Sequence, residues 1–370
     1  MKRKFYGSMA ICFTLAFLAL PGAMLLAEEG VNELDTIVVT ADRMPEPLRQ
    51  VSRKVTVFTE EDIKNSGADG IIDLLKKVGV QTYADGAAGY GNEGIIMRGS
   101  KSSMHGFDLA GDILVLVDGH RTGADTFSNI ELDNTERVEV IRGPGAVQYG
   151  AAAMGGVVNI ITKRGRGKTE GMVEAGIGSY GESRAKAAVS GKEGKLDFSA
   201  AGSYYTQDPY ETGKGEIFQN SGLDYRTRYS LNLGWHFDER NRLGLIVSGS
   251  DTEDAGKGPD TGSSYKDTRQ DRGNHFYDLS YGGESKDRGM GWMVRYFQGE
   301  VNYYLSRFYT AASRNRREPF SESENAFKGG QGQLNWNLDR FQLLTGVDWV
   351  SYDFYQEQIG SNKIQRTAPL

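Results

Sequence analysis

The chain has 370 residues with a formal charge of −6, 49 glycines, 8 prolines and more tyrosine (19) than phenylalanine (16). The acidic balance argues against a nucleic-acid partner, and the glycine and tyrosine usage favours turns and amphipathic strands over helical bundles. The single cysteine, Cys12, lies in a leader, so the exported chain has no disulfide or thiolate metal site; His105, His120, His236 and His275 show no metal-ligand spacing.

Residues 1–27 have the layout of a secretory signal peptide. Lys2-Arg3-Lys4 is the charged start, and an apolar run from Met9 to Leu20 ends at Pro21-Gly22. Cleavage is expected after Ala27. Losing Lys2, Arg3 and Lys4, and no acid, moves the formal charge from −6 to −9. Beyond the leader no run of about 18 apolar residues follows, so no transmembrane helix is expected. A membrane barrel, whose strands carry a weaker hydropathy signal, stays open.

Residues 28–49 read as a flexible segment. Within it Asp35, Thr36, Ile37, Val38, Val39, Thr40 and Ala41 form a β-prone heptad. Pro45 and Pro47 make continuation into a sheet unfavourable. The heptad is either an edge strand or a peptide offered to a partner's sheet by strand addition.

Residues 50–164 read as a compact α+β domain. A strand carries Val55, Val57 and Phe58. Thr59 caps a helix over 60–66 with Asp62 reaching back, and Gly67 ends it. Asp69 caps a second helix over 70–78, with Ile71, Ile72, Leu74, Leu75 and Val78 on its apolar face and Gly79 at its end. Strands follow at 95–97, before Arg98-Gly99, and at 113–117, before the hairpin signal Asp118-Gly119. Val138, Val140 and Ile141 then lead into Gly143-Pro144-Gly145. Val157, Val158, Ile160 and Ile161 form a strand apolar on both faces, hence buried. The glycine spacing around Pro144, and the return to a strand, exclude a dinucleotide loop. Long loops at 84–93, 101–111 and 122–130 are of the kind that carry function.

From residue 171 the period is two. In residues 223–237, Tyr225, Thr227, Tyr229, Leu231, Leu233, Trp235 and Phe237 share one face. About nine strands are expected, near 171–179, 183–190, 196–204, 223–237, 242–250, 274–283, 291–308, 327–338 and 341–352. Short turns alternate with long polar loops at 208–222, 251–273 and 309–325, an asymmetry typical of outer-membrane barrels. Asp251, Glu253, Asp254 and Asp260 form an acidic loop whose spacing fits no calcium motif.

DTIVVTA at 35–41, VFTEEDI at 57–63, DLLKKVGV at 73–80, IIMRG at 95–99, LVLVDGHR at 114–121 and ERVEVIRGPGAVQYGAAAMGGVVNIITKR at 136–164 occur in that order. Together they resemble the N-terminal part of TonB-dependent outer-membrane receptors. That resemblance implies a plug domain at 50–164, followed by an antiparallel transmembrane barrel over 165–370. Residues 35–41 would be the TonB box, pairing with the inner-membrane-anchored TonB. Arg98 and Arg142 match plug arginines that pair with barrel carboxylates; support of the plug fold alone is the other reading. Tyr83, Tyr90, His105 and Phe107, on candidate apical loops, would contact a ligand. The ligand implied is a ferric siderophore, with cobalamin as the alternative, taken up through the outer membrane of a Gram-negative bacterium in contact with its lipid. No cofactor is implied. No nucleophile–base constellation is visible, so no enzyme is expected. A passive porin and a truncated, non-transporting remnant are the competing readings. The family's barrel has about 22 strands; the 206 residues after Arg164 accommodate fewer, so a fragment or a truncated product is expected.

Overall fold

The computed structural model describes residues 38–39, 46–47, 54–77, 79–85, 92–102, 112–121, 130–143, 153–257, 265–309, 316–338, 341–358 and 363–367. The expected signal peptide, Asp35, Thr36, Ile37, Thr40, Ala41, Tyr90, His105, Phe107 and Asp260 lie outside the described residues.

β1 (Val38–Val39) and β2 (Glu46–Pro47) pair antiparallel. The prolines therefore do not prevent pairing of the β-prone heptad. A two-residue ribbon has no ladder for a missing N–H to interrupt.

β3 (Lys54–Thr59) runs into α1 (Glu60–Ser66) through the expected capping box. The Asp62 N–H donates to Thr59 Oγ1 at 3.2 Å, and the Thr59 N–H donates to the Asp62 carboxylate at 2.9 Å. Gly67 ends the helix at φ +60°. α2 (Ile71–Lys77) buries Ile71, Ile72, Leu74 and Leu75. β4 (Gln81–Asp85), β5 (Asn92–Met97) and β6 (Ser100–Lys101) make a three-stranded sheet. Arg98 and Gly99, both at positive φ, form the tight turn between β5 and β6. β7 (Ile113–Val117), β8 (His120–Arg121), β9 (Thr135–Arg142) and β10 (Gly156–Thr162) join β3 in a five-stranded sheet of order β3-β9-β10-β7-β8.

β10 lies parallel to β7 and antiparallel to β9, so both of its edges are paired, and Val157, Val158 and Ile160 are fully buried, as its apolar run requires. The plug core joins α2 to this sheet through Ile71, Leu74, Leu75, Ile113, Val138, Val158 and Ile160.

Ten antiparallel strands follow, each paired with the next. They are β11 (Glu170–Ile177), β12 (Ser183–Glu193), β13 (Leu196–Gln207), β14 (Leu223–His236), β15 (Arg242–Gly256), β16 (Tyr265–Glu284), β17 (Met290–Tyr309), β18 (Arg316–Leu338), β19 (Phe341–Gln358) and β20 (Lys363–Thr367). β20 adds a strand to the expected nine. On β14, Arg228, Ser230 and Asn232 are buried toward the plug while Trp235 is exposed. Leu243, Leu279, Val294, Val347 and Trp349 give the opposite face the apolar character of a lipid-facing barrel wall.

Two of the expected loops are largely strand. The pairing of β15 with β16 continues through Asp251↔Gly273 to Gly256↔Arg269, and β18 begins at Arg316. Asp251 and Glu253 continue the face that carries Leu243 and Leu245, so they belong to a strand and not to an acidic loop. Polarity there reflects what the upper wall faces, and does not break the ladder.

Gly156 stands where two backbones approach closely. At φ +150°, a Cβ would lie 2.5 Å from the Ile141 carbonyl oxygen and 2.8 Å from Met97 Cε. Gly156→Ala is expected to destabilise the folded chain by about 1–3 kcal/mol in denaturant unfolding. An unchanged midpoint would contradict this packing.

Candidate functional site

A dense set of buried contacts between plug and wall gathers around the hairpin that joins β7 to β8. Asp118 and Gly119 both have positive φ, +48° and +84°, as a two-residue type I′ turn demands. Asp118 tolerates this because its carboxylate is anchored. It accepts from the Thr162 N–H at 3.2 Å and from the Thr162 hydroxyl at 2.7 Å. The turn delivers His120 directly opposite Val117 and against the wall.

His120 is 1% exposed. Its ring stacks between Phe276 on β16 and Phe297 on β17, with centroids 5.0 and 4.8 Å away. Nε2 lies 3.0 Å from Asp278 Oδ2, and Arg295 Nε lies 3.0 Å from the same oxygen. Neither N–H points squarely enough at the oxygen for a linear hydrogen bond, so the attraction is chiefly electrostatic. Arg295 Nη1 also donates to the Asp118 carbonyl at 2.6 Å. A fully buried carboxylate is thus shared by one plug side chain and one wall side chain, and that wall side chain reaches back to the plug turn. Left alone, such a charge would be strongly destabilising.

A second path crosses on the other side of the turn. Asn232 Nδ2 donates to Thr162 Oγ1 at 2.8 Å, and Arg242 Nη2 donates to Asn232 Oδ1 at 2.9 Å. Arg242 grips Asp197 with two hydrogen bonds of 2.7 and 2.8 Å, and His236 Nε2 is 2.7 Å from the same carboxylate. Nearby, Asn134 Nδ2 donates to Ser230 Oγ at 2.7 Å. Two residues along β14 from Ser230, Arg228 donates to the Asp69 carbonyl at 2.8 Å.

Of the residues singled out in the sequence, Tyr83 sits inside the plug, where its hydroxyl donates to the Ser102 carbonyl at 3.0 Å. Arg98 is exposed, and its guanidinium covers Gly143, whose φ is +105°. Arg142 Nε is buried without a hydrogen-bond partner. Among the described residues neither Arg98 nor Arg142 forms an ion pair with the wall; His120, Asp278 and Arg295 occupy that role. Asp278 falls in the strand expected at 274–283, between Tyr277 and Leu279, but was not singled out in the sequence. Nothing in the sequence tied it to His120.

The comparisons with known proteins agree with this geometry. Residues 47–157 match the TonB-dependent Receptor Plug Domain family. The chain is 32% identical over 374 residues to the vitamin B12 transporter BtuB of Photobacterium profundum, covering 96% of this chain and 55% of that protein. The chain belongs to the TonB-dependent receptor family. BtuB of Vibrio vulnificus is 32% identical over 225 residues, 58% of this chain and 35% of that one. The receptor chain therefore spans about a third to a half of these relatives' length. The crystal structure of BauA, the ferric preacinetobactin receptor from Acinetobacter baumannii, superposes with a TM-score of 0.64 at 15% identity, over 88% of this chain and 52% of its own. That likeness is one of fold. The family consists of outer-membrane β-barrel transporters and receptors, not enzymes.

A pH-sensitive contact joins the receptor's α1 to the end of the plug. Lys163 Nζ lies 2.9 Å from Glu60 and 3.0 Å from Glu170. Burial pushes the Glu60 carboxyl up, but hydrogen bonds to Lys64 and Lys163 outweigh it and hold it below its usual range. Burial likewise pushes Lys163 down, and its two carboxylates outweigh that and raise it. A depressed carboxyl contributes stability above its unfolded value, about pH 4.3, and loses it as pH falls through the folded value. A raised lysine contributes below about pH 10.4 and loses its share as pH rises through the folded value. Lys163→Met is therefore expected to speed hydrogen exchange in α1 at pH 7. That difference should shrink at acid pH, as Glu60 takes up its proton. An equal effect at neutral and at acid pH would contradict the pair.

Proposed function

We propose that the chain serves TonB-dependent active uptake of a scarce, bulky ligand across the outer membrane of a Gram-negative bacterium. The observation that carries this is a folded plug fixed by buried polar contacts to the inward face of a wall whose outward face is apolar. A pore built for passive flow has no use for such an obstruction.

In this reading the leader directs export, and residues 35–41 engage TonB by strand addition. Lipid covers the outward rows of Leu279, Val294 and Val347. Arg98 and Arg142, which share one end of the plug, would pair with wall carboxylates once the plug rearranges, since neither does so among the described residues of the seated plug. The ligand meets the plug apices, with Tyr83, Tyr90, His105 and Phe107 as contacts. Tyr83 offers its ring, since its hydroxyl is engaged by Ser102.

Between ligands, cobalamin is better supported than a ferric siderophore. The likeness to vitamin B12 transporters is one of sequence and reaches 96% of this chain. The likeness to a siderophore receptor is one of fold. No bond in the ligand need be made or broken.

Uptake of labelled cobalamin by cells carrying the receptor, with and without residues 35–41, tests this reading. Accumulation should stop on deletion, while surface binding persists. Uptake that survives the deletion would point to a passive porin. Uptake of a ferric siderophore but not of cobalamin would restore the second ligand.

A further inference from the structure

At the end of the wall that carries the long loops, three aromatic rings stand at the surface on a fixed backbone. Tyr180 and Gly181 are the central residues of the turn between β11 and β12, at φ +60° and +63°. A turn of this hand takes asparagine or glycine at its first central position, and a bulky side chain with positive φ is an outlier. The turn is pinned from the next loop, where the Asp208 N–H donates to the Tyr180 carbonyl at 2.8 Å. That loop is closed on itself. The Phe218 N–H donates to the Tyr210 carbonyl at 2.9 Å, and the Tyr210 N–H donates to Ser221 Oγ at 3.0 Å. The Tyr180 and Tyr210 ring centroids are 6.0 Å apart, and those of Tyr210 and Phe218 are 5.5 Å apart. Tyr180 is nevertheless 52% exposed and Tyr210 38%. Backbone strain accepted, and aromatic surface left open, at one and the same place point to a binding surface.

The strand lengths fix what lies beside it. β11, β12 and β13 have 8, 11 and 12 residues, close to the roughly 9–11 that a tilted strand needs to cross the hydrocarbon core. β16, β17 and β18 have 20, 20 and 23. On the first side the wall ends at the membrane surface, and on the second it stands well clear. Tyr204 and Tyr225, stacked 6.5 Å apart below the cluster, lie where an interfacial aromatic girdle belongs. The cluster therefore sits among the headgroups of the outer leaflet, which in a Gram-negative outer membrane are saccharides. The C–H face of a pyranose ring packs on the negative face of an aromatic ring, and its hydroxyls need acceptors at the edge. Asp208 and Glu211 are exposed there and make no ion pair among the described residues. The same carboxylates disfavour a phosphate.

We propose that Tyr180, Tyr210 and Phe218 form a docking platform for neutral sugar rings of the outer-leaflet glycolipid, with Asp208 and Glu211 accepting from its hydroxyls. The assignment rests on the membrane setting and not on which ligand is carried. Bound there, the saccharide ties the low side of the rim to the membrane surface. Because the turn and the loop are already closed by their own hydrogen bonds, little ordering is left to oppose binding.

Isothermal titration calorimetry of the full chain in detergent tests the assignment. The titrant is the lipid-free, dephosphorylated core oligosaccharide of a Gram-negative outer membrane, and saturable binding is expected. Tyr180→Gly removes the ring while suiting the backbone, so the chain should stay folded and bind at least about fivefold more weakly. Tyr210→Ala, away from the strained turn, should weaken binding as much. No binding by the unsubstituted chain, or undiminished binding by both variants, would overturn the proposal. Maltohexaose, a neutral glucan foreign to that leaflet, separates the sources of sugar. Binding of maltohexaose as tight as that of the core oligosaccharide would overturn the assignment to the membrane's own glycolipid.

Discussion

The Asp278 carboxylate is the constraint on which the arrangement rests. It is fully buried, between a plug histidine and a wall arginine. A charge in that position fixes more than its own surroundings. Asp278 pairs across the ladder with Phe297, whose ring stacks on His120, and Ser280, two residues on, pairs with Arg295. A one-residue slip of β16 would turn Asp278 to the outward face and bring Tyr277 inward. Strand register, plug position and charge pairing are therefore one condition, satisfied together or lost together.

The same logic explains the plug hairpin. A type I′ turn with aspartate in a left-handed conformation is tolerated because Thr162 binds its carboxylate and Arg295 binds its carbonyl. From Thr162 the contacts continue through Asn232 and Arg242 to Asp197. The turn is thus held from β14 on one side and from β17 on the other. Local backbone geometry and the global seating of the plug support each other, as expected of a consistent fold.

Much of this was legible in the sequence because it is local. The capping box at Thr59, the hairpin at Asp118-Gly119, the buried strand at Val157–Ile160 and the alternation of β14 follow from residue types and spacing. The upper wall was misread as loop because its acids and glycines mimic turn composition; only cross-strand pairing shows that the ladder continues past Asp251. The contact of His120 with Asp278 spans 158 positions in the sequence, and no periodicity encodes a pairing between domains. The motif LVLVDGHR contains the histidine, and Asp278 lies in an expected strand at 274–283. Bringing them together required the fold.

The most direct test of this account is a double-mutant cycle between His120 and Asp278, read as unfolding free energy of the full chain in detergent. His120→Gln, Asp278→Asn and the double variant complete it. A shared buried contact predicts effects that fail to add, with an interaction energy of about 0.5–3 kcal/mol. Effects that add to within about 0.3–0.5 kcal/mol would show the two residues to be independent, and the plug would then have to be held to its wall by some other contact.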